Sequence, residues 1–362
     1  MRINNIQKTS FKGYDATPIK NLYMQGIQEQ DLFNELNKVA KAENISLWAF
    51  DNKTFAQELE KNHVHSGERW AQDDKCFIKN EVKFDIKDIF KKEKPEKSPS
   101  RLIACREQYD RHFPKSLKGT FNTDYKYSST FLVGGNMFIG KKENGERWML
   151  VGNEGVADRI WNANLDTISK IYKIPKKNII IMPQQEFHLD MALRPVGYPY
   201  ILVNDPKLVE ENIKKYGSKL PEDMLEDYKE SRKNNKYVSC DETIKILEAE
   251  GFKPIRIAGD YGFKKNGMNY INAIVNKNPD GSISYITNSG RNTDYEILDK
   301  IFEEDLKQAL EGKVGIKNVH FISGEKVKNS RYDENSIMKN IRELSGGIHC
   351  MALEEPDFDV VV

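Results

Sequence analysis

Cysteine, histidine, net charge and long apolar runs are all scarce in this chain, and each scarcity excludes something. Its four cysteines, Cys76, Cys105, Cys240 and Cys350, are scattered with no C-x-x-C pair. That argues against a disulfide framework or a cysteine-rich zinc site and points to free thiols in a reducing compartment. Among six histidines the one close pair is "HVH" at 63 to 65, and no H-E-x-x-H occurs, so a zinc centre lacks its ligand set. Fifty-six basic residues against 55 acidic leave a net charge of +1, without the global basic field that general nucleic-acid binding requires. No stretch approaches the roughly 18 apolar residues of a membrane span. The opening "MRINNIQKTSFKGYDATP" lacks the apolar core of a secretory signal. A soluble, cytoplasmic protein with no membrane and no nucleic-acid partner is expected.

What is present is a globular composition, 38% hydrophobic and 31% charged, with enough apolar material for a substantial core. Short β-rich runs alternate with amphipathic stretches along the whole length. "ISLWAF", "RLIACR", "STFLVGG", "RWMLVG", "NIIIMP", "YPYILVN", "KPIRIAG", "NYINAIV" and "SISYIT" read as strands. "EQDLFNELNKVAKAEN", "VADRIWNANLDTISKIYK" and "DETIKILEAEGF" carry apolar residues at three- and four-residue spacing and read as helices. This mixture predicts an α/β or α+β fold. "ENGE" and "NPDGS" read as hairpin connections. Residues 85–100, rich in lysine and proline, read as an exposed loop, and 206–236 as a charged, weakly periodic helical insertion that covers a site, meets another subunit or, as charge runs usually do, solvates a face.

Three segments carry candidate chemistry. In "QQEFHLDMALRP", His188 and Asp190 point to one side if the segment runs on in extended form from the strand ending at Pro183. A histidine bonded to a neighbouring carbonyl and an aspartate closing a turn would give the same letters. In "LSGGIHCMALEE", the glycines Gly346 and Gly347 permit close backbone approach ahead of Cys350, a candidate nucleophile. His349 would point away from Cys350 in an extended segment, which leaves His188 as the expected base. In "GERWAQDD", Trp70 and Asp73 could cover and clamp a planar cation, with Gln72 between them. "GMNYINAIVN" places Asn272 on a strand as a neutral hydrogen-bonding group.

Together, and in this order, W-x-Q-D, H-x-D, a Y-x-N strand and a terminal G-G-x-H-C resemble the guanidine-modifying superfamily, the pentein fold. The likeness is greatest to the peptidylarginine deiminases and agmatine deiminases. "FLVGGNMFIG" (131 to 140) is similar to the E-G-G-N strand-turn of the family, with Val133 where many relatives carry an acidic residue. The residues after Cys350, "MALEEPD", differ from those of both deiminase groups.

The resemblance implies an α/β propeller of five ββαβ-like modules around a central site, in one catalytic domain spanning 1–362. It implies that Asp73 and Asp190 hold a guanidinium group, that Cys350 attacks its carbon, and that His188 alternates between acid and base. It further implies that Trp70, Gln72, Asn272, Gly135, Asn136 and Gly347 line the substrate, with no metal and no organic cofactor. Citrulline formation from a peptidyl arginine is slightly preferred on "RWAQDD". Hydrolysis of agmatine or free arginine, amidino transfer to an amine, and a non-catalytic binding role on the same fold stay open.

Overall fold

The computed structural model of the chain describes residues 15–25, 30–50, 75–79, 100–104, 124–127, 134–153, 158–184, 188–220, 222–233, 240–260, 269–288, 296–323 and 347–357. The strands among them are β1 (Ile19–Gln25), β2 (Ser46–Phe50), β3 (Lys75–Lys79), β4 (Ser100–Ala104), β5 (Asp124–Tyr127), β6 (Met137–Lys141), β7 (Arg147–Gly152) and β8 (Ile179–Met182). They continue with β9 (Leu193–Pro195), β10 (Tyr200–Asp205), β11 (Lys253–Ala258), β12 (Ile274–Lys277), β13 (Ile283–Asn288), β14 (Asn318–Ile322) and β15 (Ala352–Pro356). The α-helices are α1 (Gln30–Ala42), α2 (Asp158–Tyr172), α3 (Pro206–Tyr216), α4 (Met224–Lys233), α5 (Cys240–Ala249) and α6 (Glu296–Ala309).

These strands form five three-stranded mixed sheets of one design: β15-β1-β2, β3-β4-β5, β6-β7-β8, β9-β10-β11 and β12-β13-β14. In each, the first strand pairs antiparallel with the second and the second parallel with the third. The antiparallel step needs only a tight connection. "ENGE" and "NPDGS" supply two, each turning at a glycine of positive φ, Gly145 and Gly281. The parallel step needs a crossover, and α1, α2, α3 to α5, and α6 provide it in four of the sheets. The first sheet is completed from the far end of the chain, where β15 pairs with β1 from Ile19 opposite Pro356 to Met24 opposite Ala352.

The helices form because their apolar residues recur on one face. Leu32, Leu36 and Ala40 of α1, four apart, are fully buried. Crossover helices also pack on the sheet preceding their own. Leu32 and Leu36 share a buried cluster with Ile286 and Ile322 of β13 and β14. Phe302 and Leu306 of α6 share one with Ile255 and Ile257 of β11, and Ile244 and Leu247 of α5 one with Leu150 and Ile180 of β7 and β8. These three helices therefore join two sheets each.

Several expectations need correction. The 206–236 segment is helical, but α3 and α4 are not a solvated surface addition. Val209 and Ile213 of α3 and Met224 and Tyr228 of α4 are buried in the cluster that also holds Leu202 of β10 and Tyr285 of β13. Two apolar residues four apart make a narrow seam, hidden in sequence by the charges around it; α3 is further fixed by Pro206 in its first turn and by Asp205, whose Oδ1 accepts from Lys207 N at 2.9 Å. Asn272 is not on a strand: it lies in the turn before β12, where its N–H donates to Asn269 Oδ1 at 3.1 Å. The "GG" end of the expected strand at 129–135 instead opens a 3-10 turn, Gly134–Asn136. The lysine-rich loop expected at 85–100 lies outside the described residues up to Ser100, which opens β4.

Candidate active site

The sheets determine where chemistry collects. Asn136 immediately precedes β6, Asp190 lies three residues before β9, and Asn272 and Cys350 lie two residues before β12 and β15. Each is thus at the same place in its own module, the entry to the first strand, and hydrogen bonds between these entry turns bring them together. Asp73 also stands two residues before a first strand, β3, but Asp73, Trp70 and Gln72 lie outside the described residues.

The turn carrying Cys350 is held by Asn272. Its Oδ1 accepts from His349 N at 2.9 Å and Cys350 N at 3.1 Å, while its Nδ2 lies 2.9 Å from Cys350 Sγ. This close approach requires a glycine opposite: a Cβ on Gly347 would lie 2.5 Å from Asn272 Oδ1. Asn288 Oδ1 accepts from Ile348 N at 2.9 Å, fixing the same turn from the end of β13. Asn136 has the equivalent role one module pair away, its Oδ1 accepting from Leu189 N at 3.0 Å and from Gln184 Nε2 at 2.8 Å.

Asp190 lies at the centre of this arrangement and has no solvent exposure. Its Oδ2 accepts from the Cys350 thiol at 3.3 Å and lies 2.8 Å from His349 Nδ1. Its Oδ1 is buried with no hydrogen-bond partner among the described residues. Around Gly135, a Cβ would lie 2.7 Å from His188 Nδ1 and 3.2 Å from Asp190 Oδ1, so both groups crowd the glycine's open side. The extended geometry expected for H-x-D is replaced by a turn: His188 is extended at φ −128, ψ 149, but Leu189–Met191 is a 3-10 turn. The two side chains nevertheless share one locality because Gly135 leaves room for both.

The sequence reading missed His349, Arg194 and Glu354. Residues 348–351 form a turn, with Met351 N donating to Gly347 O and Ala352 N to His349 O, so His349 and Cys350 do not diverge as on a strand. Both reach Asp190 Oδ2. Behind His349, Arg194 Nη1 lies 2.7 Å from His349 Nε2 and Arg194 Nη2 donates to Glu354 Oε1 at 3.1 Å. Arg194 follows Asp190 by only four residues and is fully buried, a burial that its sequence neighbourhood does not signal.

The electrostatics follow from burial and from these partners. Burial raises the Asp190 carboxyl, but the His349 hydrogen bond, the neighbouring imidazoles and the thiol together hold it below its ordinary value, ionised. Burial, with Arg194 adding to it, drives His349 down to about 4, so it is neutral near pH 7. His188 is also lowered by burial, against the pull of Asp190. Glu354 is pushed up to about 7 by burial even with the Arg194 guanidinium beside it. Arg194 is engaged by Glu354 and His349. Among the described residues no three histidine, cysteine, aspartate or glutamate side chains are placed to hold a metal ion, and no helix is long and apolar enough to cross a membrane.

Comparison with solved structures finds agmatine deiminase from C. jejuni at a TM-score of 0.57 and 12% identity, over 98% of this chain and 99% of that one. A cysteine-to-serine variant of C. jejuni agmatine deiminase with substrate bound matches at 0.54 and 12%, over 96% and 97%. DDAH from Pseudomonas aeruginosa, a variant complexed with citrulline, matches at 0.46 and 10%, over 93% and 100%. No protein-family model matches the sequence, and no curated protein matches it. At these identities the likeness is one of fold: the chain is built like the two C. jejuni agmatine deiminase structures over nearly its whole length.

Proposed function

We propose that this protein is a hydrolytic deiminase that converts a guanidinium group to a ureido group and ammonia through a covalent adduct on Cys350. The observation that carries the reading is Asp190: a wholly buried carboxylate with one oxygen shared by Cys350 and His349 and the other without a partner among the described residues. A buried carboxylate oxygen left unpaired is costly, and a planar cation rich in N–H groups satisfies both its charge and its lone pairs. In this reading Asp73 supplies the second carboxylate, Trp70 covers the cation and Gln72 lines the entrance. The five sheets stand as one propeller domain whose entry turns surround the central site.

The resting site holds a thiol and a neutral His188. Cys350 gives its proton to His188, and the thiolate attacks the guanidinium carbon, forming a C–S bond. The imidazolium then protonates the departing nitrogen as the C–N bond breaks, releasing ammonia. His188, neutral again, takes a proton from water; the hydroxide adds to the same carbon, the C–S bond breaks, and the proton returns to sulfur. No metal or organic cofactor takes part. Asn272 Nδ2, 2.9 Å from Sγ, steadies sulfur when it is negative.

The whole-length likeness to an agmatine deiminase moves the preferred substrate to a small guanidine, whereas "RWAQDD" favours a peptidyl arginine. Ammonia and ureido formation from agmatine, free arginine and a blocked arginine peptide, each beside Cys350→Ser, decides between them. Turnover of one or more with loss in Cys350→Ser is the expected result. Silence on all three from a folded protein, or turnover that survives Cys350→Ser, would overturn the reading.

A further inference from the structure

We infer that His349 is a positioning residue for Asp190, held in the Nδ1–H tautomer by Arg194, and that it takes no part in proton transfer; this rests on the deiminase reading above. The tautomer follows from elementary hydrogen-bond chemistry. A guanidinium has donors only, so the nitrogen that Arg194 Nη1 meets at 2.7 Å, His349 Nε2, presents its lone pair. A neutral imidazole with a lone pair on Nε2 carries its proton on Nδ1. That nitrogen lies 2.8 Å from Asp190 Oδ2, where an N–H donor is required.

Both ring nitrogens are thereby occupied, and the ring itself is held. Phe138 stacks on it with centroids 6.2 Å apart, and the Arg194 guanidinium carbon lies 5.7 Å from the same Phe138 ring. Glu354 Oε1 fixes the other end of Arg194. His349, Arg194 and Asp190 are all without solvent exposure. His349 therefore cannot receive a proton at Nε2 without breaking its bond to Arg194, nor at Nδ1, which already carries one.

What His349 does instead is define the Asp190 carboxylate. Its N–H and the Cys350 S–H both converge on Oδ2. Oδ1 is left turned toward the open side of Gly135, next to His188. Without the His349 donor the carboxylate could rotate about Cβ–Cγ and exchange its two oxygens, and the acceptor for a substrate N–H would lose its place.

Two substitutions separate this role from mere support of the buried arginine. In His349→Asn the amide nitrogen stands where Nδ1 stood, so the donor to Asp190 is kept and the contact with Arg194 is lost. In His349→Gln the amide oxygen reaches the place of Nε2, so Arg194 keeps its acceptor and Asp190 loses its donor. With folding checked by circular dichroism and substrate turnover resolved into kcat and KM, His349→Asn is expected within about tenfold of the parent kcat. His349→Gln is expected to fall about a hundredfold or more, the usual cost of a misplaced reacting group. Equal loss or the reverse order would overturn the inference.

A second measurement is independent of substrate. With 15N-labelled histidine, the His349 resonances, identified by their loss in His349→Asn, should show a neutral ring protonated at Nδ1 near pH 7. Protonation at Nε2, or an imidazolium, would overturn the inference. Wild-type inactivity on all three guanidines would sink the deiminase reading instead, and the tautomer would still decide how Asp190 is held.

Discussion

Replacing Gly347 with alanine tests the asparagine clamp most directly. The new Cβ would lie 2.5 Å from Asn272 Oδ1 and 2.8 Å from Asn288 Nδ2. Neither amide can retreat freely. Asn272 Oδ1 holds the N–H groups of His349 and Cys350, and Asn288 holds Ile348 N through Oδ1 and Asn269 O through Nδ2 at 2.6 Å. A carbon and an amide oxygen need roughly an ångström more than this, so Asn272 must give up at least its two backbone bonds or the Cys350 turn must move. Two neutral hydrogen bonds contribute about 1 kcal/mol each, and overpacking a buried site adds about 1–3 kcal/mol. The expected destabilisation is thus about 3–5 kcal/mol, read as a lower denaturation midpoint with an unchanged slope. Turnover should fall about a hundredfold, because displacing the nucleophile by an ångström costs that much. Gly217→Ala is the control, since its Cβ would meet nothing within 4 Å, and it should change stability by less than about 0.5 kcal/mol. Gly347→Ala within about 0.5 kcal/mol of the parent, with full turnover, would show that the turn has slack and that the clamp does not position Cys350.

Other substitutions probe separate parts of the same account. Asn272→Asp keeps an acceptor for the two backbone N–H groups but turns a negative oxygen toward Sγ, so the pH midpoint of Cys350 alkylation by iodoacetamide should rise by about one unit or more; an unchanged midpoint would refute the contact. Met224→Ala should cost about 2–5 kcal/mol in denaturant stability, since the side chain is 1% exposed; a cost under about 0.5 kcal/mol would return α4 to the surface. His349, neutral in the folded protein down to about 4 but titrating near 6.5 when unfolded, removes stability as pH falls through that window, up to ~3 kcal/mol. Glu354 works in the opposite sense: protonated in the fold up to about 7 but ionised above 4.5 when unfolded, it removes stability as pH rises. The two nearly cancel between about pH 5 and 6.5, so Glu354→Gln should steepen the acid-side loss by ~1.4 kcal/mol per pH unit relative to the parent; parallel stability profiles would refute the assignment.

What was legible in the sequence was whatever is encoded locally. The runs "RWMLVG" and "NIIIMP" form β7 and β8 because each offers enough contiguous β-formers to be buried, and the hairpins formed where Gly145 and Gly281 allowed them. Strands such as β5, "DYKY", and β14, "NVHFI", are too short and too polar to announce themselves. Their pairing with β4 and β13 is a tertiary fact. Cys350, His188, Asp190 and Asn272 could be named in advance from motif order, yet their geometry could not. The 3-10 turn at Leu189–Met191 and the turn around His349 depend on acceptors contributed by Asn136 and Asn272, far away in sequence. Treating residues 347–351 as extended turned His349 away from the site; the turn brings it in. Arg194 escaped notice because an arginine in a quoted motif looks like surface until its two partners, His349 and Glu354, are known to lie more than 150 residues downstream and buried.

The repeated use of asparagine at these turns has a physical rationale that ties fold to chemistry. Entry turns between modules expose backbone N–H and C=O groups that no strand pairs, and they must be satisfied where a thiol and a carboxylate already share a buried space. Asn136 and Asn272 accept from the N–H groups of the following entry turn, while Asn204 Nδ2 donates to Met191 O at 2.8 Å and Asn288 Nδ2 to Asn269 O. An aspartate could accept the same bonds, but each would add a negative charge against Sγ or Asp190 and raise the free energy of the thiolate. An amide satisfies the backbone without altering the field. The entry turns can therefore be fixed by four neutral side chains, which leaves Asp190 as the buried negative charge among them.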